Sequence, residues 1–217
     1  DDTIVQTGAT NLLAMSRTTF FNNARTRLPF AGVAEFYKSL QSGRNGKNNN
    51  PFFYVSSSPW NLYDLLTEFL DHNQIPAGPL LLRDFGFEAG EQSGHLHHKL
   101  NEIKKILEAY PQLNFVLIGD SGQEDPAIYK EVAKQFPGRI LAIYIRDVQI
   151  PERKKIALDI SGTFAATSLE MVIVENTVEA AAHAAKTGLI MSDSIKHIKE
   201  EKEADKGEVP GKDELSI

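Results

Sequence analysis

Residues 113–126 read LNFVLIGDSGQEDP, and the fold follows from how this stretch is divided. Phe115, Val116, Leu117 and Ile118 make a continuous apolar run of strand length bounded by a turn signal, which predicts a strand buried on both faces of a parallel sheet. Gly119 and Asp120 follow, so a carboxylate stands just beyond the strand's carboxyl end, where open α/β sheets bind their ligands. Asp125 comes later on the same loop. Two carboxylates on one tight loop read as a hard-cation site. Magnesium needs only one or two of them, because water and substrate phosphate complete its octahedron. Asp120 alone reads equally as a turn former, or as the cap of a helix starting near Pro126, so the neighbouring segments have to decide.

The same pattern, an apolar strand closed by polar chemistry, recurs on both sides. Upstream, Phe52 to Val55 predicts a strand that ends in Ser56, Ser57 and Ser58, ahead of a helix over 59–71. Hydroxyls there, with the N–H groups of a helix start, make a phosphate cradle. Ser58 reads as the helix cap with Pro59 in the first turn, Ser56 as the functional hydroxyl, and Trp60 as a packing residue at the rim. Gly78 to Asp84 predicts a third strand with Arg83 and Asp84 at its end; Ile140 to Ile145 predicts another, closed by Arg146 and Asp147; Met171 to Val174 predicts a last short one. Helical spacing is found over 31–42 (Val33, Phe36, Tyr37, Leu40) and 95–109 (Leu96, Leu100, Ile103, Leu107), with further helices over 127–135 and 177–188. Residues 10–23 read as an irregular flap and 41–50 as a polar loop. Lys99 falls off the apolar stripe near the amino end of its helix, where a cation opposes the helix dipole, and that placement reads as functional. His95, His97 and His98 suggest zinc, but there is no cysteine and no four-ligand spacing.

Strands alternating with helices predict an α/β fold, a doubly wound and mostly parallel sheet with right-handed crossovers. All the polar strand ends then share one edge. Asp1, Asp2, Ser56, Lys99, Asp120 and Asp125 are expected to meet in one cleft there, although they are scattered along the chain.

Composition sets the outer bounds. With 217 residues and 41% hydrophobic composition the chain suffices for one sizeable core, expected over 1–190. From 191 to 217 the sequence is charged and poor in apolar residues, and it reads as a mobile tail. The net charge of -6 argues against a general nucleic-acid surface and against attachment to anionic lipid by bulk charge. The absence of cysteine excludes disulfides, thiolate metal sites and a cysteine nucleophile. No apolar run approaches the roughly 18 residues needed to span a bilayer.

Taken jointly, DDTIVQTG (1–8), YVSSSPWNLYDLL (54–66), GPLLLRD (78–84), HHK (97–99) and VLIGDSGQEDPAIY (116–129) resemble the haloacid dehalogenase-like phosphohydrolases, more narrowly the actin-patch-protein type of phosphatidate phosphatase catalytic domain. The resemblance implies a haloacid dehalogenase-like core without a large cap and a Mg2+-dependent phosphatase. By the same resemblance the expected substrate is a phosphorylated lipid, phosphatidate, cleaved through an aspartyl-phosphate. In such enzymes the first motif is D-x-D-x-T/V. Matching Thr3 to its last position makes Asp1 the general acid/base and sets the nucleophile ahead of residue 1; matching Val5 makes Asp1 the nucleophile. The first frame implies that the opening central strand is truncated and that the segment alone folds poorly. By the same resemblance Asp1, Ser56 and Lys99 are catalytic, Asp120 and Asp125 serve the metal, Ser56, Ser57 and Lys99 bind phosphate, and Trp60, Arg83 and His98 form a substrate rim. A cytoplasmic protein, peripheral to a membrane, is expected. Phosphatases of soluble esters, a receiver-like phosphoryl acceptor and an inactive phosphate-binding module are the alternative readings.

Overall fold

A computed structural model describes residues 30–83 and 94–207. In chain order the elements are α1 (Val33–Ser42), β1 (Tyr54–Pro59), a 3-10 turn (Trp60–Leu62), α2 (Tyr63–His72), β2 (Leu80–Arg83), α3 (Gly94–Ala109), β3 (Phe115–Asp120), α4 (Asp125–Gln135), β4 (Ile140–Arg146), α5 (Pro151–Gly162), β5 (Met171–Val174), α6 (Thr177–Lys186) and α7 (Ser194–Gly207). They belong to two compact units, one holding 53–64 and 78–175, the other Leu65–Ala77, Asn176 onward and the segment up to Phe52.

The first unit is α/β with open parallel sheets, the class that the strand–helix alternation predicts. β3, β4 and β5 lie side by side in that order, all parallel, with Leu117 opposite Ile143, Asp120 opposite Arg146, and Arg146 opposite Val174. Because the strands follow one another in one direction with the same crossover hand, α4 and α5 fall on the same face, and they pack together there. β4 carries the centre of the core: Ile143 and Ile145 are fully buried, with Val132 of α4 and Leu107 of α3 against the same cluster. This accounts for the near-continuous apolar run of 140–145, a strand covered on both faces.

β1 and β2 form a second parallel pair, Tyr54 opposite Leu80 and Pro59 opposite Arg83. Among the described residues no ladder joins β1 to β3. Their amino ends are nonetheless neighbours: the Phe53 ring lies 6.5 Å from Phe115 and 5.3 Å from Tyr110. Val55 packs on the β3–β4 core and α3 packs on β1.

Local signals fix the element ends. Pro126 sits in the first turn of α4, where its missing N–H costs nothing, and Gly138 reverses the chain at φ 77 after the helix. Arg139 then donates to Leu107 O, Tyr110 O and Leu113 O at 3.3, 2.7 and 2.6 Å. These include carbonyls that the end of α3 leaves without intrahelical donors. The helix α5 carries no sequence signal comparable to the others, because only Ala157 is buried while Ile156 and Leu158 face outward.

In the second unit α1, α6 and α7 pack on one another. Val33, Phe36, Tyr37 and Leu40 are buried, as their spacing predicts. The reading of 191–217 as a mobile tail fails over Ser194–Gly207, which is the helix α7. Ile198 anchors it with no exposed surface, and its acids have a use: Asp205 accepts from Gly32 N at 2.7 Å and Glu201 from Glu35 N at 2.8 Å. Those N–H groups open α1, whose cap residue Gly32 has no side chain to satisfy them, so carboxylates from a distant helix do so. Residues 208–217 lie outside the described residues.

Candidate active site

β3 delivers Asp120 to the carboxyl edge of its sheet with no exposed surface. Its Oδ1 accepts from Gly122 N at 2.9 Å and from Gln123 N at 3.1 Å, an Asx-type closure that orients the carboxylate. The loop is tight around it, since a Cβ on Gly122 would stand 3.2 Å from that oxygen. Ser121, 2% exposed, holds the loop from the other side: its N–H donates to Arg146 O at 2.8 Å and its Oγ accepts from Val148 N at 3.0 Å.

Asp125 opens α4 and turns back under the strand. Its Oδ2 accepts from Asp120 N at 3.2 Å, and its Oδ1 meets Lys99 Nζ at 2.8 Å. Both side chains are out of water, at 7% for Lys99 and 2% for Asp125, so this is a buried ion pair rather than a surface one. Lys99 also donates to Gln123 Oε1 at 3.3 Å. Gly119 makes room for the arrangement, because a Cβ there would come within 2.6 Å of Asp125 Oδ2. Tyr129 completes it by donating to Ile118 O at 2.8 Å.

At the next strand ends, Asp147 and Glu175 both bind Lys154, at 2.8 and 2.9 Å. Hydrogen bonds from Lys154 to Asp147 and then to Glu175 raise the lysine pKa above its usual range. Asp147 Oδ1 also accepts from Gln149 N, which sits in the left-handed region at φ 62. This cluster ties the exits of β4 and β5 to α5.

The structure thus brings Lys99, Asp120 and Asp125 together. Several readings are corrected. Lys99 is not off the buried stripe: it is 6% exposed and lies with Ile103, Ile106 and Leu107 on the inner face, drawn in by Asp125. Trp60 is not a packing residue but 50% exposed, because Leu62 is the side chain its turn buries. Ser56, Ser57 and Ser58 lie within β1 rather than beyond it, since pairing with β2 runs through to Pro59. Ser56 Oγ accepts from Ser58 N at 3.0 Å, and the residue capping the following 3-10 turn is Pro59, not Ser58. Arg83 ends β2 beside Pro59. His98 is partly buried, and its Nε2 is a buried polar atom without a hydrogen-bond partner among the described residues. Asp1, Asp2 and Asp84 fall outside the described residues, so their predicted places in the cleft are not described.

Of the two acids, Asp120 has the better ligand character. Both oxygens of Asp125 are committed to Lys99 and to the Asp120 backbone. Asp120 Oδ1 accepts from two backbone N–H groups, which orient its carboxylate at the strand end. Among the described residues no group of three or more histidines and acids forms a ready metal cage.

The segment that carries this cluster has relatives. The family described as Phosphatidate phosphatase APP1, catalytic domain, matches residues 1–147. Phosphatidate phosphatase APP1 of Saccharomyces cerevisiae is 36% identical over 149 residues, 67% of this chain and 24% of that protein. An uncharacterized protein of Schizosaccharomyces pombe is 32% identical over 119 residues, 54% of this chain and 19% of that protein. The chain therefore spans about a quarter or less of the length of these curated relatives. No solved structure matches it. Since the family match takes in β1 to β4 with Lys99, Asp120 and Asp125, this chain belongs to the phosphatidate phosphatase APP1 catalytic-domain family of phosphate-ester hydrolases.

Proposed function

We propose that this chain carries the magnesium-dependent centre of a lipid phosphate phosphatase that releases inorganic phosphate from phosphatidate and leaves diacylglycerol. The observation that carries this reading is the buried Lys99–Asp125–Asp120 cluster at the end of β3, inside the segment that the family match covers. An ammonium has three N–H donors, and among the described residues Asp125 and Gln123 take two of them from Lys99. The third suits a phosphoryl oxygen. Asp125 holds the lysine charged and in place, and through the Asp120 N–H it fixes the end of the strand. Preorganised charge of this kind is worth most where negative charge grows on the transferring phosphoryl group.

The donor chemistry around Asp120 fits magnesium: a hard carboxylate, no thiolate, and the single protein carboxylate that such an ion can accept. Asp120 would hold it. When bound, the ion neutralises the phosphoryl oxygens as a Lewis acid. Asp125 acts here as a positioning residue and not as a ligand. Ser56 and Ser57, on the strand against which α3 packs, offer hydrogen bonds to phosphate oxygens. Asp1 supplies the acid/base function in the frame that matches Thr3 to the motif's end.

The test is inorganic phosphate release from phosphatidate in mixed micelles and from water-soluble phosphomonoesters, each with magnesium or with a chelator. Magnesium-dependent release that favours phosphatidate supports the reading. Release from soluble esters alone would move the substrate to that class, and no release from either would leave an inactive phosphate-binding module.

A further inference from the structure

The turn after β1 presents a stacked aromatic pair with much of its surface exposed. Trp60 is 50% exposed and Tyr63 is 40% exposed, yet their rings stack on each other with centroids 5.5 Å apart and planes 21° from parallel. Leu62, 9% exposed, is the side chain between them that the turn buries. Phe53 sets the amino end of β1 against Phe115, and the pair therefore stands beyond the opposite, carboxyl end of the strand that carries Ser56 and Ser57.

We propose that Trp60 and Tyr63 form a lipid-interface anchor that seats this edge of the first unit at the headgroup level of a phospholipid bilayer. The proposal rests on the reading of the substrate as a lipid phosphate. Indole and phenol rings are amphipathic and concentrate where one end of the ring meets apolar chains and the other meets water. The stacked geometry is already in place, so ordering the two side chains on contact costs little. Arg83 lies opposite Pro59 in the β1–β2 register, so the end of β2 is level with the start of the turn. With a formal net charge of -6 for the chain, contact has to come from ring partition and not from bulk attraction to anionic lipid. Binding is then insensitive to salt.

Trp60 is the single tryptophan of the chain, so its fluorescence reports on this turn alone. The full chain is titrated with phosphatidylcholine vesicles, with and without phosphatidate, and with vesicles whose acyl chains carry bromine near the headgroup. The expected result is a blue shift of the emission, quenching by the brominated lipid, and little change between low and high salt. In vesicle sedimentation, Trp60→Ala with Tyr63→Ala is expected to lower binding by about tenfold or more, the order set by burying one or two large side chains. Leu141→Ser, at a site 48% exposed near the amino end of β4, leaves binding unchanged. An unshifted emission on vesicles, or a shift that monomeric short-chain phosphatidate produces equally well, would overturn the anchor. Binding needs no turnover, so the two readings separate: phosphate release without a fluorescence shift sinks the anchor alone, and a quenchable shift without phosphate release sinks the activity alone.

Discussion

The Lys99–Asp125 bridge makes the sharpest prediction about stability. The ions are 2.8 Å apart with 7% and 2% of their side chains exposed, so removing one leaves the other in a site that water does not reach. Lys99→Met strands the Asp125 carboxylate, which keeps only the N–H of Asp120. Asp125→Asn strands the ammonium. Each should cost about 3–5 kcal/mol, a large part of the roughly 5–15 kcal/mol that holds a typical domain together. In a urea titration with a slope of about 1–3 kcal/mol per molar, that moves the midpoint down by about 1 M or more. The double variant removes both charges at once and keeps an amide oxygen for the Asp120 N–H. It should recover to within about 1–2 kcal/mol of the parent, giving a coupling of about 2 kcal/mol or more, while phosphatase activity stays lost because Lys99 is gone. Single variants that each cost under about 1 kcal/mol, as exposed pairs do, or a cycle that is additive, would refute a buried bridge.

Other consequences are separable from this one. Asp120→Asn keeps an oxygen for the Gly122 and Gln123 N–H groups, so thermal stability should change little while the initial rate of phosphate release falls by about a hundredfold or more. Arg139→Ala removes the guanidinium donor from the carbonyls of Leu107, Tyr110 and Leu113, of which Tyr110 O keeps the Leu113 N–H, and should cost about 1–2 kcal/mol in urea, with Arg139→Lys restoring little because one ammonium does not reproduce the fork. Burial, opposed by the hydrogen bond from Glu35, raises the Glu201 pKa above the ordinary carboxylate value. The folded chain thus binds that proton more readily than the unfolded one, and the residue's contribution falls as pH rises through the raised value. Glu201→Gln should raise the melting temperature at pH 7, by an amount that shrinks toward pH 4; a variant less stable at both would show that the hydrogen bond outweighs burial.

The elements that sequence revealed are those whose burial leaves a pattern. β3, β4 and β5 were readable because strands covered on both faces are continuous apolar runs, and α1 because its buried residues recur at helical spacing. α5 left no such trace, since its single deeply buried residue is an alanine and two of its larger apolar side chains point outward; Pro151 at its start was the available signal. α7 was hidden by composition. Its charges satisfy the amino end of α1 from more than a hundred residues away in the chain, a pairing no local window contains. In the site, Asp120 was legible from its place after a strand, and Lys99 from its opposition to the helix dipole. That Lys99 turns inward was not, because its partner lies on another helix. Ser121 reads as a loop serine until the exit of β4 is seen to bond to it on both sides. Trp60 followed the average behaviour of tryptophan on paper, and the structure departs from it because Leu62 already fills the turn's inner side.

Magnesium calorimetry on the full chain in the presence of inorganic phosphate bears most directly on the proposed centre. The account predicts one saturable site that Asp120→Asn abolishes and that Asp147→Asn, whose carboxylate is taken up by Lys154 and Gln149, leaves intact. Equal binding to the parent and to Asp120→Asn, or loss only in Asp147→Asn, would contradict it and move the metal away from β3.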